Sequence, residues 1–276
     1  MNEVLNKNGK ISIIMGIYNC AKTLSVAIDS ILNQSYTNWQ LIMCDDSSTD
    51  GTYNIAKSYQ EKYPDKIILI RNDVNRRLAY SLNQCLKYAD GEFIARMDGD
   101  DISLPNRFEV QINYLKNHPE YDLVGCTMQR FNDKSGLADI VYSVDSPDYY
   151  TLKNKIPFHH ATILVRRNVY DTLSGYTVCK RTNRSQDYDL WFRFFYVGFK
   201  GQNLQEVLYL VREDISAIRR RTFKTRFNTL KTTWYGYKLL GYPKSWLIKP
   251  TLEVFIKSLV PHKFIEVYRK WQALNK

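Results

Sequence analysis

The chain has 276 residues, of which 44% are hydrophobic and 14% aromatic, enough for one large α/β domain with an appendage. This composition excludes a disordered chain, and no apolar stretch reaches the ~20 residues that a membrane span needs. The formal net charge of +11 lies near one end, because residues 217–276 carry 14 Lys/Arg and 2 Asp/Glu whereas the rest of the chain carries 25 and 26.

The N-terminus and the cysteines bear on the location of the protein. Residues 1–7 show no apolar core of the kind that defines a signal peptide. Five cysteines without a C-x-x-C spacing are typical of small buried residues in a reducing compartment. We therefore expect a cytoplasmic protein.

The first part of the chain alternates between apolar runs and helical patterns. Near-continuous apolar runs, as expected of strands covered on both faces, occupy residues 11–17, 39–44, 67–70 and 92–97. Helices are predicted at residues 24–32, 49–63, 79–89 and 105–117, with Thr23 as the cap of the first. This order predicts an α/β fold with a mostly parallel sheet and helices on both faces, in which ligands bind at the carboxyl ends of the strands.

The second half is less regular. The pattern predicts strands at 122–127, 161–165 and 206–211, a hairpin over 129–143 and a helix over 186–197. From about Ile215 basic and aromatic helical segments follow, and prolines interrupt them. We therefore expect a helical C-terminal extension.

The run Asp98-Gly99-Asp100-Asp101 follows the strand predicted at 92–97. Like charges this close repel, and a divalent cation such as Mn²⁺ or Mg²⁺ would relieve the repulsion through hard oxygen ligands. Gly99 permits a tight turn and a close approach of the backbone to a ligand. A solvated acidic turn is the alternative interpretation of such a run taken alone.

Other polar residues follow the neighbouring strands. Tyr18 follows the first strand, Asp45 and Asp46 follow the second, and the arginine-rich segment 71–77 follows the third. Because the carboxyl ends of parallel strands meet at one edge of a sheet, we expect these groups and the acidic run on one rim. Asp45 and Asp46 could instead cap the helix predicted at 49–63.

Four ordered segments carry a resemblance to a known family. They are Ser12 to Asn19 (SIIMGIYN), Asp45 to Thr52 (DDSSTDGT), Asp90 to Asp101 (DGEFIARMDGDD) and Gln186 to Trp191 (QDYDLW). With them the chain resembles the family 2 glycosyltransferases of GT-A fold over about residues 10–213. The resemblance implies a metal-dependent enzyme that moves a sugar from a nucleotide sugar and inverts the anomeric centre.

The resemblance also implies roles for five residues. Tyr18 matches the aromatic residue that stacks on the base, and Asp46 matches the carboxylate that hydrogen-bonds the base. Asp98 matches the acid near the ribose, and Asp100 matches the acid that meets the metal, Mn²⁺ or Mg²⁺. Asp187 stands where the family has its catalytic base.

Four further positions leave alternatives open. Gln186 stands where the family has a Glu before the base, and Arg77 stands where it often has a Gly. His160 precedes a predicted strand, where it either contacts the donor diphosphate or the acceptor, or is a structural histidine. Arg212 ends a predicted strand on the same rim, and we assign it to the donor diphosphate together with the basic loop Arg219–Arg221. A solvated basic run is the alternative.

The basic extension alternates large apolar residues with Lys and Arg, a composition typical of segments that lie on an anionic membrane surface. Helices that pack on the catalytic domain are the alternative. We predict a GT-A catalytic domain at 1–215, with a donor half at about 10–127 and an acceptor half at about 128–215, and an amphipathic extension at 216–276. The expected location is peripheral, at the inner face of the plasma membrane.

The expected reaction moves one hexose-type sugar from a nucleotide diphosphate sugar, expected to be a UDP-sugar, to a hydroxyl of a lipid-linked saccharide in surface polysaccharide synthesis. The Q-x-x-R-W motif of processive relatives is absent, so we expect one sugar per encounter. Two other functions stay open: a catalytically inactive relative that binds sugar nucleotides, suggested by Gln186, and a nucleic-acid-binding protein, suggested by a pI of about 9.3. We expect no nucleic acid partner, because the acidic rim would repel phosphates.

Overall fold

The structure is a computed structural model that describes residues 9–213 and 222–259. Its first half contains the strands β1 (Ile11–Ile17), β2 (Trp39–Asp45), β3 (Ile67–Arg71) and β4 (Phe93–Arg96). They pair in the order β3-β2-β1-β4, and all three pairings are parallel. The predicted parallel sheet is therefore confirmed, and the carboxyl ends of these strands share one edge.

Helices cover both faces of this sheet: α1 (Leu24–Leu32), α2 (Thr52–Lys62), α3 (Leu78–Tyr88) and α4 (Arg107–Asn117). In β1, Ile13 and Met15 belong to the core cluster shared with α1 and α4. Ile14, which points the other way, belongs to the cluster shared with α3. The side chains of a strand alternate between faces, so two apolar layers require the near-continuous apolar run seen in the sequence.

One predicted helix cap and one predicted helix start differ from the structure. The Thr23 side chain does not cap α1, because its hydroxyl donates to the Gly99 carbonyl at 3.0 Å. Helix α2 begins at Thr52 rather than residue 49, and neither Asp45 nor Asp46 caps it. Asp50 instead accepts from the Thr52 amide at 3.0 Å, while the Thr49 amide donates to Asn19 at 2.9 Å.

The second half extends the sheet with mixed directions. It adds β5 (Ile102–Ser103), β6 (Leu123–Asn132), β7 (Gly136–Val141), β8 (Leu164–Arg166) and β9 (Gly201–Arg212). Strand β8 runs antiparallel to β4 and β6, whereas β9 runs parallel to β6. The β6–β7 hairpin is confirmed, but the strand predicted at 161–165 starts later because residues His160–Thr162 form a 3₁₀ turn. Helices α5 (Arg167–Leu173) and α6 (Gln186–Val197) complete this part.

The C-terminal part folds back onto helix α6. It forms α7 (Phe223–Leu239) and α8 (Ile248–Leu259), joined through a 3₁₀ turn. Gly236 of α7 lies so close to the Phe192 ring of α6 that a Cβ would overlap it. Tyr237 and Tyr242 are buried in the same core cluster.

The boundary predicted between 215 and 216, the loop Arg219–Arg221 and everything after residue 259 lie outside the described residues. None of the helices within 9–213 and 222–259 combines the length and apolar character that crossing a bilayer requires.

Candidate active site

Asp46 fixes the loop that leads from β3 into α3. One carboxylate oxygen accepts from Asn72 Nδ2 at 2.8 Å and from the Arg76 amide at 2.7 Å, and the other accepts from the Arg77 amide at 2.8 Å. A carboxylate offers about four acceptor positions, so one is left for an N–H group of a ligand. Asp46 therefore shapes the loop and still retains the capacity to read a base.

Arg77 adopts a backbone conformation that favours glycine. Its φ is 75° and its ψ is 163°, in a region essentially restricted to glycine and costing about 1–3 kcal/mol in other residues. The family that the chain resembles often has Gly at this position, which fits a glycine-like backbone. The bond from the Arg77 amide to Asp46 keeps the glycine-like geometry in place.

A cavity of about 600 Å³ opens beside this loop and joins three of the predicted site residues, Tyr18, Asp46 and Asp187. Tyr18 is 47% exposed, so a face of its ring is free to stack on a base. The cavity is otherwise lined by two segments, residues 75–81 and residues 178–187. Asn75 contributes a buried side-chain oxygen that accepts no hydrogen bond within the described part of the chain.

The three carboxylates of the acidic run lie together, with one oxygen of each within 4.8 Å of the others. Arg96 at the end of β4 forms a two-pronged ion pair with Asp98. Asp101 accepts from the Tyr209 hydroxyl at 2.9 Å and from the Arg212 amide at 2.8 Å. Sequence reasoning overlooked Arg96, although an arginine inside an apolar strand was a signal.

Asp100 is the member of this cluster best suited to a metal. Among the described residues, no side chain of another residue donates a hydrogen bond to its carboxylate. Burial, and next the neighbouring Asp98, raise the pKa of Asp100 above its usual range. A divalent cation would remove that penalty, and clustered carboxylate oxygens are ligands that Mn²⁺ and Mg²⁺ accept, so the residues fit such an ion.

Asp187 and Asp189, both in the first turn of α6, have different surroundings. Asp187 lines the cavity, and burial raises its pKa while Arg96 opposes that rise. Asp189 is fully buried and ion-paired with Arg181 and with Arg193, whose Nε lies 2.9 Å from Asp189 Oδ2. The structure thus leaves Asp187 available for chemistry and commits Asp189 to packing.

His160 and Arg212 do not belong to the cavity lining within the described residues. His160 is buried, and its Nε2 lies 2.7 Å from the Tyr176 hydroxyl, which in turn contacts the Tyr170 hydroxyl at 2.7 Å. Burial lowers the pKa of His160 well below its usual range, so the ring is neutral. Arg212 donates to the Asp100 carbonyl at 2.7 Å and pairs with Asp133, which places it behind the acidic run. Their contacts with a ligand stay predictions.

The segment before α6, which lines the cavity, is anchored at its start by Asn83. The Asn83 side chain bonds both backbone groups of Tyr176, each at 2.8 Å. Arg193 holds the preceding carbonyls of Leu173 and Gly175 at 2.7 and 2.9 Å. The segment 177–185 therefore starts from a rigid support.

The same segment is braced at its other end by α7. Thr232 Oγ1 donates to the Arg181 carbonyl at 2.9 Å and lies 3.0 Å from Ser185 Oγ. The Arg181 guanidinium stacks 4.0 Å from the centre of the Tyr235 ring. No local sequence pattern predicts these contacts, because the partners are about 50 residues apart in the chain.

The sequence is similar to those of known glycosyltransferases. The sequence model of Glycosyl transferase family 2 matches residues 12–182. The putative glycosyltransferase EpsE of Bacillus subtilis is 46% identical over 276 residues, covering 98% of this chain and 97% of the relative. The Escherichia coli enzyme WfgD, a UDP-Glc:alpha-D-GlcNAc-diphosphoundecaprenol beta-1,3-glucosyltransferase, is 42% identical over 109 residues, covering 39% of this chain and 42% of the relative.

Two solved structures share the fold. The S. aureus TarS fragment 1–349 in complex with UDP-GlcNAc superposes with a TM-score of 0.66 at 16% identity, over 81% of this chain and 65% of that chain. The chain thus spans less than two thirds of that longer protein. The mannosyltransferase PcManGT of Pyrobaculum calidifontis, in complex with GDP-Man and Mn²⁺, gives 0.63 at 17% identity, over 96% and 80%. Both similarities show the GT-A fold.

Proposed function

Because the chain belongs to glycosyl transferase family 2 and is a glycosyltransferase of GT-A fold, we propose that it moves one sugar from a UDP-sugar to a hydroxyl group of a lipid-linked saccharide, with inversion at the anomeric carbon. The observation that carries the proposal is the cavity that joins Tyr18 and Asp46 to Asp187. It combines a base-binding end and a proton-accepting end in one space, as a transfer from a nucleotide sugar requires.

The base-binding end favours uracil. The Asp46 carboxylate only accepts hydrogen bonds, so it prefers a base that presents an N–H at its edge, as uracil and guanine do. The exposed ring of Tyr18 provides a stacking surface beside it. PcManGT was solved with GDP-Man, but WfgD, which has the higher sequence identity to this chain, is named for a UDP-Glc donor, and the TarS complex contains UDP-GlcNAc. We therefore propose uracil rather than guanine.

The acidic run fits a divalent cation. Asp100, with Asp98 beside it, would hold Mn²⁺ or Mg²⁺, and PcManGT was solved with Mn²⁺. When bound, such an ion neutralises the charge that develops on the leaving diphosphate. Tyr209 and Arg212 keep Asp101 in place, so the loop geometry is set before any ion binds.

Asp187 is the general base of the proposed reaction. It accepts the proton of the acceptor hydroxyl while the hydroxyl oxygen forms a bond to the anomeric carbon, and the bond from that carbon to the diphosphate oxygen breaks. A single displacement of this kind inverts the configuration. The raised pKa of Asp187 brings it closer to the working pH, where a general base is most effective.

The C-terminal extension is proposed to present the enzyme to a membrane. In α8, Ile248, Leu252, Phe255 and Ile256 are exposed and lie on one face at helical spacing, with Lys244 and Lys249 nearby. We retain the division into 1–215 and 216–276 and a peripheral position at the inner face of the plasma membrane. A diphospholipid acceptor of the kind named for WfgD, in polysaccharide synthesis, is consistent with that position.

The decisive experiment measures binding and transfer with the full chain. Calorimetry with UDP and GDP, each with and without Mn²⁺, is expected to show Mn²⁺-dependent binding of UDP. Transfer from UDP-Glc and UDP-GlcNAc to a synthetic GlcNAc-diphospholipid is then followed, and the anomeric configuration of the product is read by NMR. Absence of Mn²⁺-dependent UDP binding, or a product with retained configuration, would refute the proposal.

A further inference from the structure

Two arginines line the candidate donor cavity in backbone conformations that long side chains rarely adopt. Arg77 has a φ of 75° and Arg184 a φ of 67°. The other described non-glycine residues with positive φ are the short polar residues Asn19, Ser47 and Ser174. Ser174, with a ψ of 39°, lies in the left-handed region that short polar side chains tolerate, whereas the ψ of 163° places Arg77 in a region essentially restricted to glycine. Strain of this kind collects at binding and catalytic sites, so both positions call for a role of the side chain.

The charges around the cavity indicate what that role is. The basic residues of the lining are Arg76, Arg77, Lys180 and Arg184, and its acidic residues are Asp46 and Asp187. Asp46 already accepts three N–H groups, so its charge is largely compensated. The excess of positive charge suits a diphosphate, which carries a negative charge on each phosphate.

Arg77 is the best placed of these cations. Its amide bonds Asp46, so its side chain starts directly beside the residue proposed to read the base. Within the described residues no ion pair or ring contact engages its guanidinium, whereas Arg76 lies 5.8 Å from the centre of the Tyr80 ring. Arg184 approaches from the second lining segment, two residues before Gln186.

We propose that Arg77 and Arg184 grip the diphosphate of the sugar donor, one from each lining segment of the cavity. Each planar guanidinium forms paired hydrogen bonds with phosphate oxygens, which a lysine cannot reproduce. The two residues thereby select a nucleoside diphosphate over a nucleoside. This inference rests on the proposed function and adds residues for which the family resemblance gave no role.

Substitution of these arginines by glycine should have opposite effects on two quantities, because relief of strain raises the stability of the protein and loss of a phosphate contact lowers its affinity for UDP. In Arg77→Gly and Arg184→Gly the strain disappears, so the thermal unfolding midpoint of the ligand-free protein is expected to rise by about 2–4 °C. The affinity for UDP with Mn²⁺ is expected to fall at least about tenfold, whereas the affinity for uridine, which has no phosphate, stays unchanged. Ser174→Gly relieves a positive φ outside the cavity lining, so it should raise the midpoint and leave UDP binding unchanged.

Arg77→Gln is a control for the possibility that glycine makes the loop more flexible and weakens UDP binding in that way. It keeps the strained backbone and a polar side chain but removes the charge, so UDP binding should weaken as in Arg77→Gly. UDP binding at the wild-type level in Arg77→Gly and Arg184→Gly would overturn the inference, and so would equal losses for uridine and UDP. A wild-type protein that binds neither UDP nor GDP would refute the proposed function itself and the inference with it.

Discussion

Thr232 connects helix α7 to the segment that leads into Asp187. The substitution Thr232→Val removes that connection and little else. The residue is fully buried in α7. Its hydroxyl lies 2.9 Å from the Arg181 carbonyl and 3.0 Å from Ser185 Oγ, and more distantly, at 3.3 Å, from the Asn228 carbonyl of its own helix. Valine has nearly the same volume and helix propensity, so the change opens no cavity and removes only the hydroxyl group.

The expected loss of unfolding free energy follows from those contacts. A net intramolecular hydrogen bond contributes about 0.5–1.5 kcal/mol, and a buried group left without any partner costs about 1–3 kcal/mol. In the variant the Arg181 carbonyl still accepts a hydrogen bond from the Ser185 hydroxyl, 3.0 Å away, so the carbonyl is not left unsatisfied. We therefore expect Thr232→Val to cost about 0.5–1.5 kcal/mol, the value of one net hydrogen bond.

The neighbouring residue supplies a matched control. Thr233 is also buried in α7, but its hydroxyl bonds only the Thr229 carbonyl of its own helix at 3.0 Å. Such a bond adds nothing to helix stability, so Thr233→Val should leave the unfolding free energy nearly unchanged.

Urea unfolding gives the stability of both variants, and turnover with saturating donor gives their activity. Thr232→Val should lower turnover about tenfold, since a small displacement near a reacting group is costly. Its affinity for uridine, which has no phosphate, should stay near the wild-type value, because Tyr18 and Asp46 belong to other elements. If Thr232→Val and Thr233→Val behave alike in both measurements, α7 does not position the segment and the reasoning fails.

Four further predictions test the remaining parts of the proposed function. Asp187→Asn should lower turnover by a factor on the order of 10² at unchanged UDP affinity. Asp189→Asn should mainly lower the free energy of unfolding, by about 3–5 kcal/mol, because it breaks a buried ion-pair network. The reverse result would assign the base to Asp189. Because burial raises the pKa of Asp187 and the base must be ionised, turnover should increase with pH through a value above the ordinary aspartate pKa of about 3.9, and an acid limb near that value would contradict the assignment. Asp100→Asn should abolish the effect of Mn²⁺ on UDP affinity measured by calorimetry, and an unchanged effect would exclude Asp100 as a ligand. The double variant Leu252→Ser, Ile256→Ser should reduce sedimentation with anionic vesicles without changing the free energy of unfolding, since both side chains are exposed. Binding of the wild-type protein to these vesicles should weaken as the salt concentration is raised. Absence of vesicle binding by the wild-type protein at low salt would refute the membrane proposal.

Periodicity in the sequence was enough to place the first half of the fold, β1 to β4 with their helices. Strands buried on both faces must be apolar throughout, and helices that cover them must be amphipathic, so periodicity located β1 to β4 and their helices. Parallel strands bring their carboxyl ends to one edge, which was enough to expect Tyr18, Asp46 and the acidic run together on one rim. In the structure Tyr18 and Asp46 line one cavity, and the carboxylates of the acidic run cluster with one another.

Asp187 and Asp189 are equivalent in the local sequence pattern, and only the packing of α6 gives them different surroundings. Asp187 and Asp189 are two positions apart in one helix and point about 200° apart around its axis. Which of them meets the cavity and which meets Arg181 and Arg193 depends on how α6 packs, and that information is spread over distant parts of the chain.

The same reason explains the contacts that the sequence did not reveal. The positive φ of Arg77 is set by a bond to Asp46, 31 residues earlier, and Thr232 braces Arg181, 51 residues away. Local patterns record which side of an element is buried, because burial repeats with the period of the helix or strand. They do not record which distant residue completes a hydrogen bond, and it was these long-range partners that decided the shape of the candidate site.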